Sequence, residues 1–125
     1  MSRTVIRTDN APSASGPYSQ GIVANGFLFC AGQVGYLPGS RNVAEGGIQG
    51  QTRQTLTNLK AVIEAAGASM DNVVKTTVFL SDINNFAAMN EVYATFFGGN
   101  PPARSTVQVV LPLGLLVEIE AVVAL

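Results

Sequence analysis

The chain of 125 residues contains no histidine, no tryptophan and one cysteine, Cys30. A single cysteine cannot close an internal disulfide, and most zinc centres and most general bases near neutral pH use histidine. The sequence therefore predicts neither a zinc site nor a histidine base. Any proton transfer would depend on carboxylates, tyrosines, lysines or bound water.

Charged residues are also scarce, at 12% of the chain. Seven basic residues against eight acidic ones leave a formal net charge of −1, and the basic residues are scattered along the sequence. Sequence-independent binding of nucleic acid needs basic residues concentrated on one face of the protein. We therefore expect no nucleic-acid partner.

No apolar run approaches the length that spans a membrane, and the N-terminal residues are polar and unlike a secretory leader. We therefore expect a cytoplasmic protein with no membrane partner. The length and the 47% share of hydrophobic residues predict one domain, residues 1–125, with an ample core.

The hydrophobic pattern predicts eight elements in the order β-β-β-α-β-α-β-β, an α+β domain with two helices on one face of a mixed sheet. Asn25-Gly26, between two β-prone runs, predicts a hairpin turn. A long amphipathic helix should begin near Ile48 and stop at Gly67. Asp82 should cap a second helix. Five residues of that helix and its end are expected to point inward: Phe86, Met89, Tyr93, Phe96 and Phe97.

Apolar residues lie on both sides of two predicted strands, residues 73–80 and the C-terminal strand. If helices cover only one face of the sheet, the other apolar face is left in water. The sequence therefore predicts an oligomer that buries this second face.

Arg104 follows two consecutive prolines and an alanine, and it precedes the β-prone residues 105–110. Because prolines restrict the chain, this guanidinium should be rigidly mounted, which suits bidentate capture of a small carboxylate. In the final strand a two-residue period places Glu118 and Glu120 on one face. The pattern indicates an anion clamp and an acid/base group. The plain alternatives are a solvated arginine and a solvent-facing pair of glutamates.

Seven segments carry a resemblance to a known family: residues 16–21, 31–33, 51–54, 65–67, 74–80, 102–105 and 117–121. Together they resemble the RidA (YjgF-like) imine/enamine deaminases over nearly the whole chain. The resemblance implies a chorismate-mutase-like fold and a homotrimer with a barrel-like centre, whose sites lie at the subunit boundaries.

The resemblance also implies functions for seven positions. The catalytic residues would be Arg104 and Glu118, and the substrate-binding residues would be Tyr18, Ala31, Gly32, Asn90 and Thr106. Each of the weaker candidates has a structural alternative. Tyr18 could cover an edge of the core, and Gly32 could be a simple strand bulge. Asn90 falls on the buried stripe of the second helix, where its amide would tie the helix to a strand or loop.

Two positions depart from the family pattern. Ala31 stands where these deaminases typically have a serine, and Thr106 stands where they often have a cysteine. The first change removes a hydroxyl that could hold ligand or water, whereas the second keeps a hydrogen-bonding group. Cys30 should point to the opposite strand face from Ala31 and behave as a small buried apolar residue.

The leading hypothesis is hydrolysis of short 2-imino acids to 2-keto acids and ammonia, without a metal or an organic cofactor. Arg104 and the Gly32 backbone would hold the carboxylate, and Glu118 would handle water and protons. A non-catalytic trimer that binds small anions or metabolites is the alternative, because Ala31 lacks the hydroxyl. An endoribonuclease is disfavoured by the missing histidine and basic face.

Overall fold

The computed structural model describes residues 2–125, so Met1 of the predicted domain lies outside the described residues. The six strands are Thr4–Ile6 (β1), Gly21–Ala24 (β2), Phe27–Val34 (β3), Val73–Leu80 (β4), Ala103–Gln108 (β5) and Val117–Ala124 (β6). They form one sheet in the order β1-β2-β3-β6-β4-β5. The β4–β5 pair is parallel and the other four pairs are antiparallel, which confirms the predicted mixed sheet.

Two α-helices, Gly47–Ala65 (α1) and Phe86–Tyr93 (α2), complete the predicted order of elements. The first ends as predicted: Gly67 has a φ of 84°, and its N–H donates to the Glu64 carbonyl at 3.0 Å. The Asp82 carboxylate accepts from the Asn84 N–H at 2.9 Å. It therefore caps a short 3-10 turn, Ile83–Asn85, which leads into α2.

Four of the five residues predicted to point inward from α2 and its end do so. Met89 and Tyr93 are buried, and Phe96 and Phe97 pack partly buried against the core. The prediction for Phe86 is wrong, because this side chain is 41% exposed. Phe86 is the first residue of α2, and its ring lies beside the Arg104 guanidinium instead of in the core.

The hairpin turn at Asn25-Gly26 is confirmed. Both residues have positive φ values, 53° and 78°, as a type I′ turn requires, and β2 and β3 pair in register on either side. None of the helices in residues 2–125 combines the length and the hydrophobicity needed to cross a membrane.

The core lies between the sheet and α1, which packs on β3 and β6 and also contacts α2. Alternate residues of β6, from Val117 to Val123, are buried on this side, whereas Glu118 and Glu120 point to the other face. That second face carries Phe27, Phe29 and Val107, all exposed in the single chain. The structure thus has the uncovered apolar face that the strand patterns predicted.

Three buried amide side chains hold the loops near this sheet. Gln51 of α1 donates to the Gly114 carbonyl at 3.0 Å and accepts from the Leu116 N–H at 2.9 Å. Asn58, about two turns further along the same face of α1, donates to the carbonyls of Val34 and Tyr36 at 3.0 and 2.8 Å. A third amide, Gln20, donates to the Pro12 carbonyl at 2.8 Å. These bonds fix the loops because a buried amide left unpaired would be costly.

Candidate functional site

Arg104 lies on β5, directly opposite Thr76 of β4. Its guanidinium carbon is 4.7 Å from the centre of the Tyr93 ring and 5.4 Å from that of Phe86. The Tyr93 hydroxyl in turn forms a 2.7 Å hydrogen bond with the Thr76 hydroxyl, and both side chains are buried. The two rings and the strand therefore orient the guanidinium. A rigid mounting was predicted from the prolines, whereas the contacts seen here come from the rings.

This cation has no acidic partner: Arg104 forms no ion pair within residues 2–125. It borders an open cavity of about 370 Å³, here called the arginine cavity. The lining side chains include Asn90, Tyr93, Phe97, Pro101, Pro102 and Arg104. An unpaired, oriented guanidinium at the edge of a mostly apolar cavity can bind a small carboxylate in two-point fashion.

Glu118 lies on β6 and packs against Gly32, where the β3–β6 register shifts between Cys30 and Gln33. A Cβ atom placed on Gly32 would come within 2.8 Å of the Glu118 carboxyl carbon, so only glycine leaves room for this side chain. The pKa of Glu118 is raised, chiefly because burial disfavours its charged form and also because Glu120 adds a like charge. A carboxylate with a raised pKa is a stronger proton acceptor near neutral pH.

A second, smaller cavity of about 180 Å³ lies at this carboxylate and is here called the glutamate cavity. Its lining includes Tyr18, Gly32, Tyr36, Arg41, Pro112 and Glu118. Tyr18 is half-exposed, and its hydroxyl accepts from the Ser15 N–H at 3.2 Å. The residue lies in the N-terminal loop that Gln20 anchors. The structure therefore brings together three of the predicted residues, Tyr18, Gly32 and Glu118.

The other predicted residues divide between the two regions. Ala31 precedes Gly32 at the register shift, and its N–H donates to the Gln20 carbonyl at 3.0 Å. Thr106 lies on the same side of β5 as Arg104, and its buried hydroxyl has no hydrogen-bond partner. Asn90 lines the arginine cavity, and its buried Oδ1 also lacks a partner, so this oxygen does not tie the helix to a strand or loop. Two buried polar atoms without a partner thus lie on the same side of the sheet as Arg104, one on the helix that lines its cavity and one two residues along its strand.

Cys30 behaves as predicted. The side chain is buried, and burial raises the pKa of the thiol to about 12. It is therefore a protonated, unreactive apolar residue at neutral pH.

Arg104 and Glu118 lie on opposite faces of one sheet, although they are close in sequence. Arg104 is in register with Thr76, which pairs with Ala121 on the helix-covered side. Glu118 is in register with Phe79, which pairs with Val107 on the uncovered side. One chain therefore presents two separate candidate half-sites, a cation on one face and a carboxylate on the other.

The sequence reasoning missed Tyr36 and Arg41, and it gave Tyr93 only a core role. The loop after β3 contains Pro38 and Gly39, which carry a turn signal but no periodicity that aims a side chain. An aromatic residue and an arginine in that short loop were the available hint. Within residues 2–125, no three cysteine, aspartate or glutamate side chains meet as a metal site.

Residues 8–125 match the family described as Endoribonuclease L-PSP. A RutC family protein of Pyrococcus horikoshii is 53% identical to this chain over 121 residues, covering 96% of each. The 2-iminobutanoate/2-iminopropanoate deaminase of Rattus norvegicus is 46% identical over 121 residues, covering 96% of this chain and 88% of the rat protein. The crystal structure of a conserved Rid family protein of unknown function from Yersinia pestis, 48% identical, superposes with a TM-score of 0.94 over 99% of this chain and all of that one. The resemblance in the sequence motifs and these matches agree: the chain belongs to the RidA (YjgF-like) family.

Proposed function

We propose that this protein hydrolyses short 2-imino acids, and the enamines in equilibrium with them, to 2-keto acids and ammonia. The observation that carries the proposal is the Arg104 guanidinium, oriented by Tyr93 and Phe86 at the edge of a cavity and without an acidic partner. Such a group suits the carboxylate that all these substrates share. The similarity to the rat deaminase supports the choice of reaction.

The complete site would be assembled from two protomers of a homotrimer with a barrel-like centre. Within one chain Arg104 and Glu118 lie on opposite faces of the sheet, so neither can complete the other's half-site. We propose that the arginine cavity of one protomer meets the glutamate cavity of its neighbour. The uncovered apolar face, with Phe29 and Val107 exposed, would be buried in the same assembly.

The reaction needs little beyond positioning. A water adds to the carbon of the C=N bond while Glu118 takes one of its protons, and Glu118 then returns a proton to the nitrogen. The product of this addition is a carbinolamine, and its remaining hydroxyl proton passes through Glu118 to the nitrogen as the C–N bond breaks. The oxygen thereby becomes the keto group, and ammonia leaves. Arg104 holds the substrate carboxylate together with the Gly32 backbone, which keeps the reacting carbon beside the water. The raised pKa of Glu118 suits this proton exchange near neutral pH.

The remaining residues have supporting functions in this proposal. Tyr18, half-exposed at the glutamate cavity, would close over the bound substrate. The unpaired Thr106 hydroxyl and the unpaired Asn90 Oδ1 would receive hydrogen bonds from water or ligand beside Arg104. Ala31 would line the site without adding a polar contact. The scheme requires no metal and no organic cofactor.

The decisive experiment separates catalysis from binding. Ammonia release would be measured from 2-iminobutanoate generated in situ by a dehydratase, together with calorimetric affinity for 2-ketobutanoate. Glu118→Gln should keep much of the keto-acid affinity but lose turnover, because an amide cannot accept the proton. Arg104→Lys should lower both the keto-acid affinity and the turnover, and Arg104→Ala should lower these two quantities further. Glu64→Gln, a change at an exposed helix position, is the matched control.

A binding protein remains the second candidate, because Ala31 lacks the hydroxyl that the family resemblance implies at this position. If the wild-type protein binds 2-ketobutanoate but releases ammonia no faster than buffer, the binding function is correct and Glu118 only lines the cavity. An RNA cleavage assay tests the activity named in the family description. Cleavage that copurifies with the oligomer and disappears in Arg104→Ala would contradict the proposal.

The assembly is tested by light scattering at micromolar concentration. We expect the mass of three chains of 13.0 kDa. A mass equal to one chain would contradict both the trimer and the shared site.

A further inference from the structure

The glutamate cavity contains a cation that the proposed reaction does not use, Arg41. Its side chain is exposed but not loose, because the guanidinium carbon lies 5.4 Å from the centre of the Tyr36 ring. Its Nη2 also donates a long hydrogen bond, 3.4 Å, to the Ser13 carbonyl. Both partners line the same cavity as Glu118, so the charge is held in the wall of that cavity.

The loop that carries Arg41 is itself fixed. Tyr36 and Val43 form a β-bridge, and the Leu37 N–H donates to the Asn42 carbonyl at 2.9 Å. Asn58 of α1 donates to the Tyr36 carbonyl, which ties this end of the loop to the core. An arginine on a hydrogen-bonded loop, stacked on an anchored ring, has less conformational freedom to lose on binding than a surface arginine without such contacts.

The charge of Arg41 is not neutralised within the chain, since it forms no ion pair within residues 2–125. Glu118 lines the same cavity without pairing with it, and the other titratable lining groups are the tyrosines Tyr18 and Tyr36. A solvated surface arginine would account for the exposure alone. It would not account for two contacts that both direct the guanidinium to the cavity of the candidate acid/base group.

We propose that Arg41 binds a second anionic group of the substrate, so that the site accepts dicarboxylic 2-imino acids and their 2-keto acid products. The inference rests on the proposed function: Arg104 of one protomer would hold the carboxylate next to the imine, and Arg41 of its neighbour the carboxylate at the other end. The cavity of about 180 Å³ holds the equivalent of about six liquid waters, which fits a short acidic side arm. The reaction remains the addition of water and loss of ammonia at the C=N carbon.

The test compares two substrate pairs on Arg41→Gln and on Arg53→Gln, which removes the same charge from an exposed position of α1. Calorimetry would measure affinity for 2-ketoglutarate and for 2-ketobutanoate. Kinetics would measure kcat/KM for 2-iminosuccinate, generated by an aspartate oxidase, and for 2-iminobutanoate. We expect Arg41→Gln to lower both the affinity and kcat/KM about tenfold for the dicarboxylates and less than twofold for the monocarboxylates. A charge-assisted contact is lost only with the dicarboxylates. Arg53→Gln should change neither.

A second variant tests the orientation of the cation apart from its charge. Tyr36→Leu keeps Arg41 but removes the ring under it, so the affinity for 2-ketoglutarate should fall by a larger factor than the affinity for 2-ketobutanoate. Equal loss for both acids in Arg41→Gln, or no loss for either, would overturn the inference. So would inorganic phosphate binding that depends on Arg41 without any preference among keto acids.

The outcomes also separate this inference from the proposed function. If 2-iminobutanoate is hydrolysed but Arg41→Gln leaves the dicarboxylates unchanged, the deaminase proposal stands and the Arg41 subsite is wrong. If no imine is hydrolysed, the calorimetric comparison of the two keto acids still decides whether Arg41 selects a second carboxylate.

Discussion

The Glu118 side chain fills the space that a side chain on Gly32 would need across the β3–β6 pair. A Cβ atom on Gly32 would lie 2.8 Å from the Glu118 carboxyl carbon and 2.9 Å from its Cγ. The glycine is therefore not a passive bulge in a strand. Its missing side chain lets the Glu118 side chain pack directly against the β3 backbone at the register shift. The position of the candidate acid/base group depends on this glycine.

Gly32→Ala should consequently displace the Glu118 side chain and lower ammonia release about a hundredfold, as small misplacements of a catalytic group commonly do. The fold should survive, because the atoms that must move belong to a flexible side chain. Gly99→Ala, where a Cβ meets nothing within 4 Å, is the matched control. Unchanged turnover in Gly32→Ala would show that the observed position of Glu118 is not needed.

The hydrogen bond between Tyr93 and Thr76 underlies the second prediction. Tyr93→Phe leaves the Thr76 hydroxyl buried without its partner, which should cost about 1–3 kcal/mol in the free energy of unfolding. Adding Thr76→Val should restore part of the loss, because the orphaned hydroxyl is then removed as well. Urea unfolding at one fixed protomer concentration measures each variant, and equal, additive losses would contradict the coupling.

The ring of Tyr93, as distinct from its hydroxyl, should govern ligand binding. Tyr93→Phe keeps an aromatic face under Arg104, so affinity for 2-ketobutanoate should change less than threefold. Tyr93→Leu removes that face and should weaken binding about tenfold. Calorimetry on folded oligomers checks both variants. Equal losses would mean that the hydroxyl, rather than the ring, orients the guanidinium.

The local parts of this fold could be predicted from the sequence, because short-range rules determine them. Asn25-Gly26 adopts the positive φ values of a hairpin turn, and Gly67 ends α1. Phe86 was mispredicted for a local reason too, since helical spacing alone cannot tell that the first residue of α2 lies beyond the core. Its ring lies beside the Arg104 guanidinium instead.

The geometry of the candidate site could not be predicted in the same way. Arg104 and Glu118 each lie on a predicted strand, but the face that each occupies depends on the registers of β4 with β5 and β6, which are long-range pairings. The separation into two half-sites therefore emerged only from the structure. Arg41 was missed because its direction comes from a ring and a carbonyl contributed by other loop positions.

Glu120 should control the pH dependence of the reaction through Glu118. Its negative charge disfavours the ionised form of Glu118 and so adds to the rise in pKa that burial causes. Glu120→Gln removes this charge, so the pKa of Glu118 should fall and the acid limb of the rate profile should move to lower pH. Rates well above the limb should stay unchanged, because Glu118 is already ionised there.

The measurement is the rate of ammonia release over a pH series that extends below the acid limb of the wild-type protein. Glu64→Gln changes the net charge equally at an exposed helix position and should leave the limb in place. A limb that stays fixed or moves upward in Glu120→Gln would show that Glu118 does not set it.

The last prediction concerns the missing hydroxyl at Ala31. This half-buried residue precedes Gly32, and its N–H is already committed to the Gln20 carbonyl, so a serine would add a side-chain group without disturbing that bond. One new neutral hydrogen bond to ligand or water is worth about 1 kcal/mol. Ala31→Ser should therefore raise kcat/KM for 2-iminobutanoate by up to about tenfold. Ala31→Val, which adds volume without a hydroxyl, is the control and should not increase the rate. If Ala31→Ser has wild-type kinetics, backbone groups already supply the contact, and the alanine carries no penalty in this protein.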